Sequence, residues 1–140
     1  MIRLFYDNTV FRLRGSRKAL QLIEKVIREE NRISGDLNFI VTNKFRVKEI
    51  NIEFLKHDYF TDVIAFGYSD GNIIDGDVFM SIETIKENAV NYKVSLKNEM
   101  IRVMIHGTLH LCGYEDKKEA EKLVMREKEN YWISIFDKKG

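Results

Sequence analysis

Leu96-Lys97-Asn98-Glu99-Met100-Ile101-Arg102-Val103-Met104-Ile105-His106-Gly107-Thr108-Leu109-His110-Leu111-Cys112 is the stretch on which the reading of the chain turns. Ser95 precedes it, and a serine there can accept from the free N–H groups of a first helical turn. Met100, Ile101, Val103, Met104, Ile105, Leu109, Leu111 and Cys112 make the helix apolar on most sides, and such a helix belongs in a core. Gly113 suits the left-handed position that ends a helix. Yet this core helix carries His106 and His110. Residues four apart project from one helix face, so both imidazoles can reach one ion. A lone histidine on an apolar face is ordinarily a hydrogen-bonded core residue; two in register form a candidate ligand pair.

Working outward, Asp116 falls six residues after His110, beyond the glycine turn. The run His-x-x-x-His-x-x-Gly-x-x-Asp takes two ligands from a helix face and a third from the returning chain, the spacing metzincin proteases use. Catalytic zinc sites commonly keep three protein ligands and one open position. The expectation is one Zn2+ per chain on His106, His110 and Asp116. Protease motifs of this kind place a glutamate general base after the first histidine; here that position is Gly107, which argues against peptide hydrolysis. Cys112 is the only cysteine, so neither a disulfide nor a thiolate zinc cluster is available. It lies on another helix face from His110 and reads as core.

The flanking sequence supplies a sheet. Ile2 to Tyr6, Leu37 to Thr42, Asp62 to Tyr68, and Ile73 to Met80 read as strands, the last with a bulge at Gly76. Gly35-Asp36 and 69–72 read as turns. Ser16 is expected to cap a helix carrying Leu20, Ile23, Val26 and Ile27, and Val47, Ile50, Phe54 and Leu55 suggest a second. Ser81 opens a third; a charged helix follows from about Lys117 to Asn130, with Tyr131 to Phe136 a final strand or a tail helix. The fold class is α/β (α+β mixed), a single layered domain over 1–140 with a small mixed sheet and a buried metal-binding helix.

Composition narrows the function classes. No apolar run approaches the roughly 20 residues of a membrane helix, and Asp7 and Arg12 interrupt any signal-peptide core. The expectation is a cytoplasmic protein with no membrane partner. The net charge is +1, too small for a general nucleic-acid field, so RNA binding would need local basic patches. Arg12, Arg14, Arg17 and Lys18, and Lys44, Arg46 and Lys48, gather in this way; each group also reads as a solvated face. His57 reads as a surface histidine, and Trp132 and Tyr131 as core or as stacking surface.

At His106-Gly107-Thr108-Leu109-His110-Leu111-Cys112-Gly113-Tyr114-Glu115-Asp116 the chain resembles the YbeY family of bacterial endoribonucleases and rRNA maturation factors, whose signature runs His-Gly-x-Leu-His-Leu-x-Gly-Tyr-Asp-His. Thr61-Asp62-Val63-Ile64-Ala65-Phe66 is similar to the family's Thr-Asp-Val-Leu-Ser-Phe, and Gly76-Asp77-Val78-Phe79-Met80-Ser81 to its Gly-Asp-Ile-x-Ile-Ser. The resemblance covers roughly Leu37 onward. It implies a small α/β domain with zinc in a cleft, single-strand endoribonuclease activity, a part in 16S rRNA maturation and ribosome quality control, and small-subunit components as partners. Asp116 stands for the usual third histidine, Glu115 for the signature's aspartate, and Leu55 for a functional arginine. Arg102, one turn before His106, is the candidate substitute charge, and Glu115 a candidate catalytic or supporting carboxylate. Two other readings stay open: a non-catalytic ribosome-associated metal-binding module, and a metal-dependent, protease-like hydrolase on another substrate. Oligomeric state is not legible.

Overall fold

Parallel neighbouring strands cannot be joined by a tight turn, so each crossover needs a helix or longer segment. β1 (Ile2–Tyr6) and β2 (Ile33–Thr42) are such a pair, joined through α1 (Ser16–Glu29). α2 (Lys44–Leu55) and β3 (Val63–Gly67) then intervene before β4 (Ile73–Ser81), which lies parallel to β2. β3 pairs antiparallel with β4, giving the mixed order β1-β2-β4-β3. α3 (Ile82–Tyr92), α4 (Leu96–Leu111) and α5 (Glu119–Lys138) follow. This computed structural model describes residues 1–138; Lys139 and Gly140, the end of the expected 1–140 domain, lie outside the described residues.

The sheet separates a large core from a small one. Leu37, Phe39 and Val41 of β2 and Ile74, Val78 and Met80 of β4 alternate onto the side shared with α1, α4 and α5. On a second, smaller core Val47 and Ile50 of α2 meet Ile64, with Phe66 and Phe79 packed against them. α4 touches α1, α3, α5, β3 and β4. Its Met100, Met104, Ile105 and Leu109 are fully buried, each such side chain contributing about 1.5–3 kcal/mol by leaving water. The histidine-bearing helix is therefore held from several sides before any metal is considered.

Several local expectations are corrected. Gly35 and Asp36 make no turn but lie within β2. Between the pairs Ser34–Ile74 and Leu37–Gly76, β2 carries two residues against one of β4, so the irregularity expected at Gly76 places its extra residue on the opposite strand. Gly76 itself sits at φ 136°, and a Cβ there would come 1.8 Å from the Phe66 carbonyl oxygen. Ser16 is not the cap of α1: Gly15 occupies that position at φ 71° without a side-chain hydrogen bond. Residues Tyr131 to Phe136 form no strand; they continue α5, because Met125, Glu129, Trp132, Ile133 and Phe136 share one buried stripe at helical spacing. Ser81 and Ser95 do cap α3 and α4, accepting from the N–H groups of Thr84 and Asn98.

Candidate metal centre

His106 and His110 project from the C-terminal half of α4, their ring centroids 4.6 Å apart and nearly perpendicular. α4 ends at Leu111 with Cys112 as its C-cap, Gly113 takes φ 101°, and the chain turns back so that Asp116 meets the histidine face. The Asp116 Oδ2 atom lies 3.1 Å from His106 Nε2 and 3.4 Å from His110 Nε2. The three donor atoms lie within 4.8 Å of one another, and among the described residues no fourth donor joins them.

The far nitrogen of each imidazole is occupied. His106 Nδ1 is 2.6 Å from Glu129 Oε2, and His110 Nδ1 is 2.8 Å from the Tyr114 carbonyl oxygen. Both partners are acceptors, so each Nδ1 is placed to donate, and Nε2, the atom that faces Asp116, is the nitrogen that would meet an ion. This is the outer-shell pattern that fixes metal-ligating histidines. The donor set, two oriented imidazoles and a carboxylate, fits a divalent transition ion. Burial pushes the His106 pKa down, but the Glu129 hydrogen bond and the charges of Glu129, Asp116 and Asp62 outweigh it, and the net shift is upward. Burial raises the half-buried Asp62 carboxyl, and it also pushes Glu99, one to two turns before His106, up to about 7.

Two cavities meet at the ligands. One, of about 230 Å³, is walled by Asp62, Glu99, Arg102, His106, Asp116 and Glu129 among others. The other, about 490 Å³, is bounded by Leu55, His57, Tyr59, His106, His110 and Asp116. The centre therefore opens to an extended ligand on either side.

Sequence-derived candidates fall in different places. His106, His110 and Asp116 are brought together. Arg102 is there too, but its guanidinium donates to Glu129 Oε1 at 3.1 Å and to Asn130 Oδ1 at 2.9 Å. Glu115 is exposed, and among the described residues no hydrogen bond or ion pair joins it to the ligands. Leu55 lines the larger cavity, as does His57, which is at the surface as expected. Trp132 and Cys112 are core, whereas Tyr131 is exposed. Asp77 lies within β4, bonded to Asn38 and Tyr68. Glu129 is the residue the sequence reading missed; a carboxylate on the apolar stripe of α5 was the available signal. Gly107 has a structural reason as well: its Cβ would come 2.8 Å from Val78 Cγ1, so the position after the first histidine faces the sheet with no space for a glutamate.

A helix-and-turn cluster of two histidines and an aspartate that could hold a metal ion, open on both sides and set against a mixed four-stranded sheet, defines a class of small α/β protein. Comparison with known sequences makes the class particular. The profile of the endoribonuclease YbeY family matches residues 8–137. An endoribonuclease YbeY of Flavobacterium psychrophilum is 44% identical over 126 residues, covering 90% of each chain. Another, from Flavobacterium johnsoniae, is 40% identical over 136 residues, covering 97% of each. The solution structure of TM1509 from Thermotoga maritima matches with TM-score 0.61 at 28% identity, covering 97% of this chain and 89% of that one. The chain belongs to the endoribonuclease YbeY family.

Proposed function

We propose that this chain is a metal-dependent endoribonuclease that cuts single-stranded RNA during 16S rRNA maturation and ribosome quality control. It works in the cytoplasm, on small-subunit components, as one domain over 1–140. The observation that carries the reading is the convergence of His106 Nε2 and His110 Nε2 on Asp116 Oδ2 in an open cleft, in a chain of this family. His106, His110 and Asp116 would hold one ion, zinc by its donor preference. When bound, such an ion supplies Lewis acidity toward a phosphate oxygen and lowers the pKa of water.

The chain's own groups do the rest. Glu129 orients His106 and places a negative charge behind it, raising the basicity of the ring toward the ion. Arg102 holds the other oxygen of Glu129 on the wall of the smaller cavity, offsets part of the carboxylate charge there, and is a cation near the place a phosphate would take. Glu115, exposed and next in the chain to Asp116, is the candidate carboxylate for proton transfer. That no fourth protein donor closes the site among the described residues favours an enzyme over a structural module. Among those residues no helix is long and apolar enough to cross a membrane.

The test is cleavage of labelled single-stranded RNA by zinc-loaded protein, with His110→Ala as control and zinc content measured by elemental analysis. Cleavage by the parent and its loss in His110→Ala are expected. Arg102→Ala should slow cleavage on the order of 10²-fold, the scale of one removed electrostatic donor. Zinc-loaded, folded parent that cuts no RNA would overturn the reading.

A further inference from the structure

Beside the larger cavity the surface carries aromatic rings that folding alone does not require. Phe45, in the first turn of α2, is 64% exposed, and Phe60, in the loop 56–61, is 44% exposed. Their rings meet edge to face at 6.0 Å. Lys44 Nζ lies 5.3 Å from both ring centroids and Lys48 Nζ 4.6 Å from that of Phe60. Tyr59, 54% exposed, stacks on His57 at 5.2 Å with 17° between planes, and its hydroxyl bonds His57 Nδ1 at 2.9 Å. The loop is pinned from below: the buried Asn51 amide donates to the Tyr59 carbonyl at 3.0 Å, and Lys48 pairs with Asp58 at 3.5 Å. Asn51, His57 and Tyr59 also wall the cavity that holds His106, His110 and Asp116. Tyr59 therefore lines the metal cleft itself, and Phe60, its neighbour in the loop, with Phe45 carries the exposed aromatic surface on to the start of α2, flanked by ammonium groups.

We propose that the first half of α2 and the loop 56–61 form a stacking ledge for single-stranded RNA, seating bases next to the phosphate held at the metal centre. Tyr59, Phe60 and Phe45 offer their uncovered faces and edges to successive bases, and Lys44 and Lys48, seated over the phenylalanine rings, would meet the phosphates between them. Unpaired bases present π-faces and a charged backbone together, which rings interleaved with lysines match; a duplex hides those faces. An overall charge of +1 makes this local arrangement the source of affinity in place of a general field. The ledge rests on the endoribonuclease reading for its orientation, and binding can be measured without catalysis.

The experiment is fluorescence anisotropy of 5′-labelled A12 and U12 RNA with chelator-treated protein, which prevents cleavage. A12, with the larger bases, should bind more tightly than U12. Phe45→Ala with Phe60→Ala should weaken A12 binding on the order of 10-fold or more per stacked base, whereas Phe60→Trp keeps it. Lys44→Gln with Lys48→Gln should flatten the salt dependence by the two contacts removed. Circular dichroism melts show whether the variants stay folded, as exposed positions predict. Parental affinity in the folded double phenylalanine variant overturns the ledge and leaves the rings as a contact for a protein partner. If the loaded parent cuts RNA with unchanged KM in that variant, the ledge fails while the endoribonuclease reading stands; if the parent cuts nothing but binds A12 through these rings, the reverse holds.

Discussion

Glu129 divides its two oxygens between the metal site and the fold. Oε2 holds His106 Nδ1 and Oε1 holds Arg102. Glu129→Ala would free the imidazole to rotate and leave Arg102 without that acceptor, so metal affinity should fall about 10- to 100-fold. Competition against a chromophoric chelator measures this; unchanged affinity in folded protein would show that His106 is oriented by something else. Asp116 was legible in the sequence because a glycine turn after a helix fixes where a ligand six residues on can return. Glu129 was not, because no local rule says which residue of a distant helix meets α4. Glu99 adds a pH-dependent term. Its buried carboxyl, raised to about 7 from 4.5 by burial, binds its proton more tightly folded than unfolded. The sign follows: the metal-free protein loses stability as pH rises from about 4.5 to about 7, by at most about 3 kcal/mol. Glu99→Gln should therefore melt higher than the parent at pH 8 in chelator, with the gap closing toward pH 4.5. Equal melting points at pH 8 would show that Arg102, 4.0 Å from Glu99, already offsets the burial.

At the scale of elements, the seating of α4 on β4 depends on a residue first noticed for the glutamate it is not. Alanine is favoured over glycine inside a helix by about 1 kcal/mol. Against that, the added Cβ at position 107 would stand 2.8 Å from Val78 Cγ1, on a branched side chain with little freedom to yield. Overpacking of this kind costs about 1–3 kcal/mol, so the clash is expected to win. Gly107→Ala should lower the urea midpoint, and Val78→Ala in the same chain should recover part of the loss. A more stable Gly107→Ala alone would mean that the helix and strand do not approach so closely. The same contrast explains what was legible among the elements. Capping serines and apolar periodicity announced α3 and α4 locally. The long β2 was read short because Gly35-Asp36 looks like a turn, and only pairing with β1 and β4 holds those residues extended. Tyr131 to Phe136 were ambiguous because β-branched and aromatic residues suit a strand as well as a buried helix stripe, and packing of α5 against α4 decides the matter.

Across the whole molecule, the proposed ion joins parts of the chain that otherwise meet at one edge. His106 and His110 belong to α4, Asp116 to the returning turn, and Glu129 ties α5 to the same centre. Asp116, Glu129 and Asp62 surround His106 with carboxyl groups that favour positive charge at this centre. A ligand that binds only the folded state stabilises it by RT ln(1 + [L]/Kd), about 2.7 kcal/mol at a hundredfold excess over Kd. For a chain of 140 residues that corresponds to a rise in Tm on the order of 10 °C. Chelation should lower the melting temperature by this amount and zinc should restore it. Asp116→Ala should melt near the chelated parent and respond little to zinc, because the two histidines alone form a weak site. Asp116→His, with an imidazole in place of the carboxylate, should keep the zinc response or enlarge it. If Asp116→Ala gains as much from zinc as the parent, Asp116 is not a ligand, and the helix pair finds its third donor elsewhere.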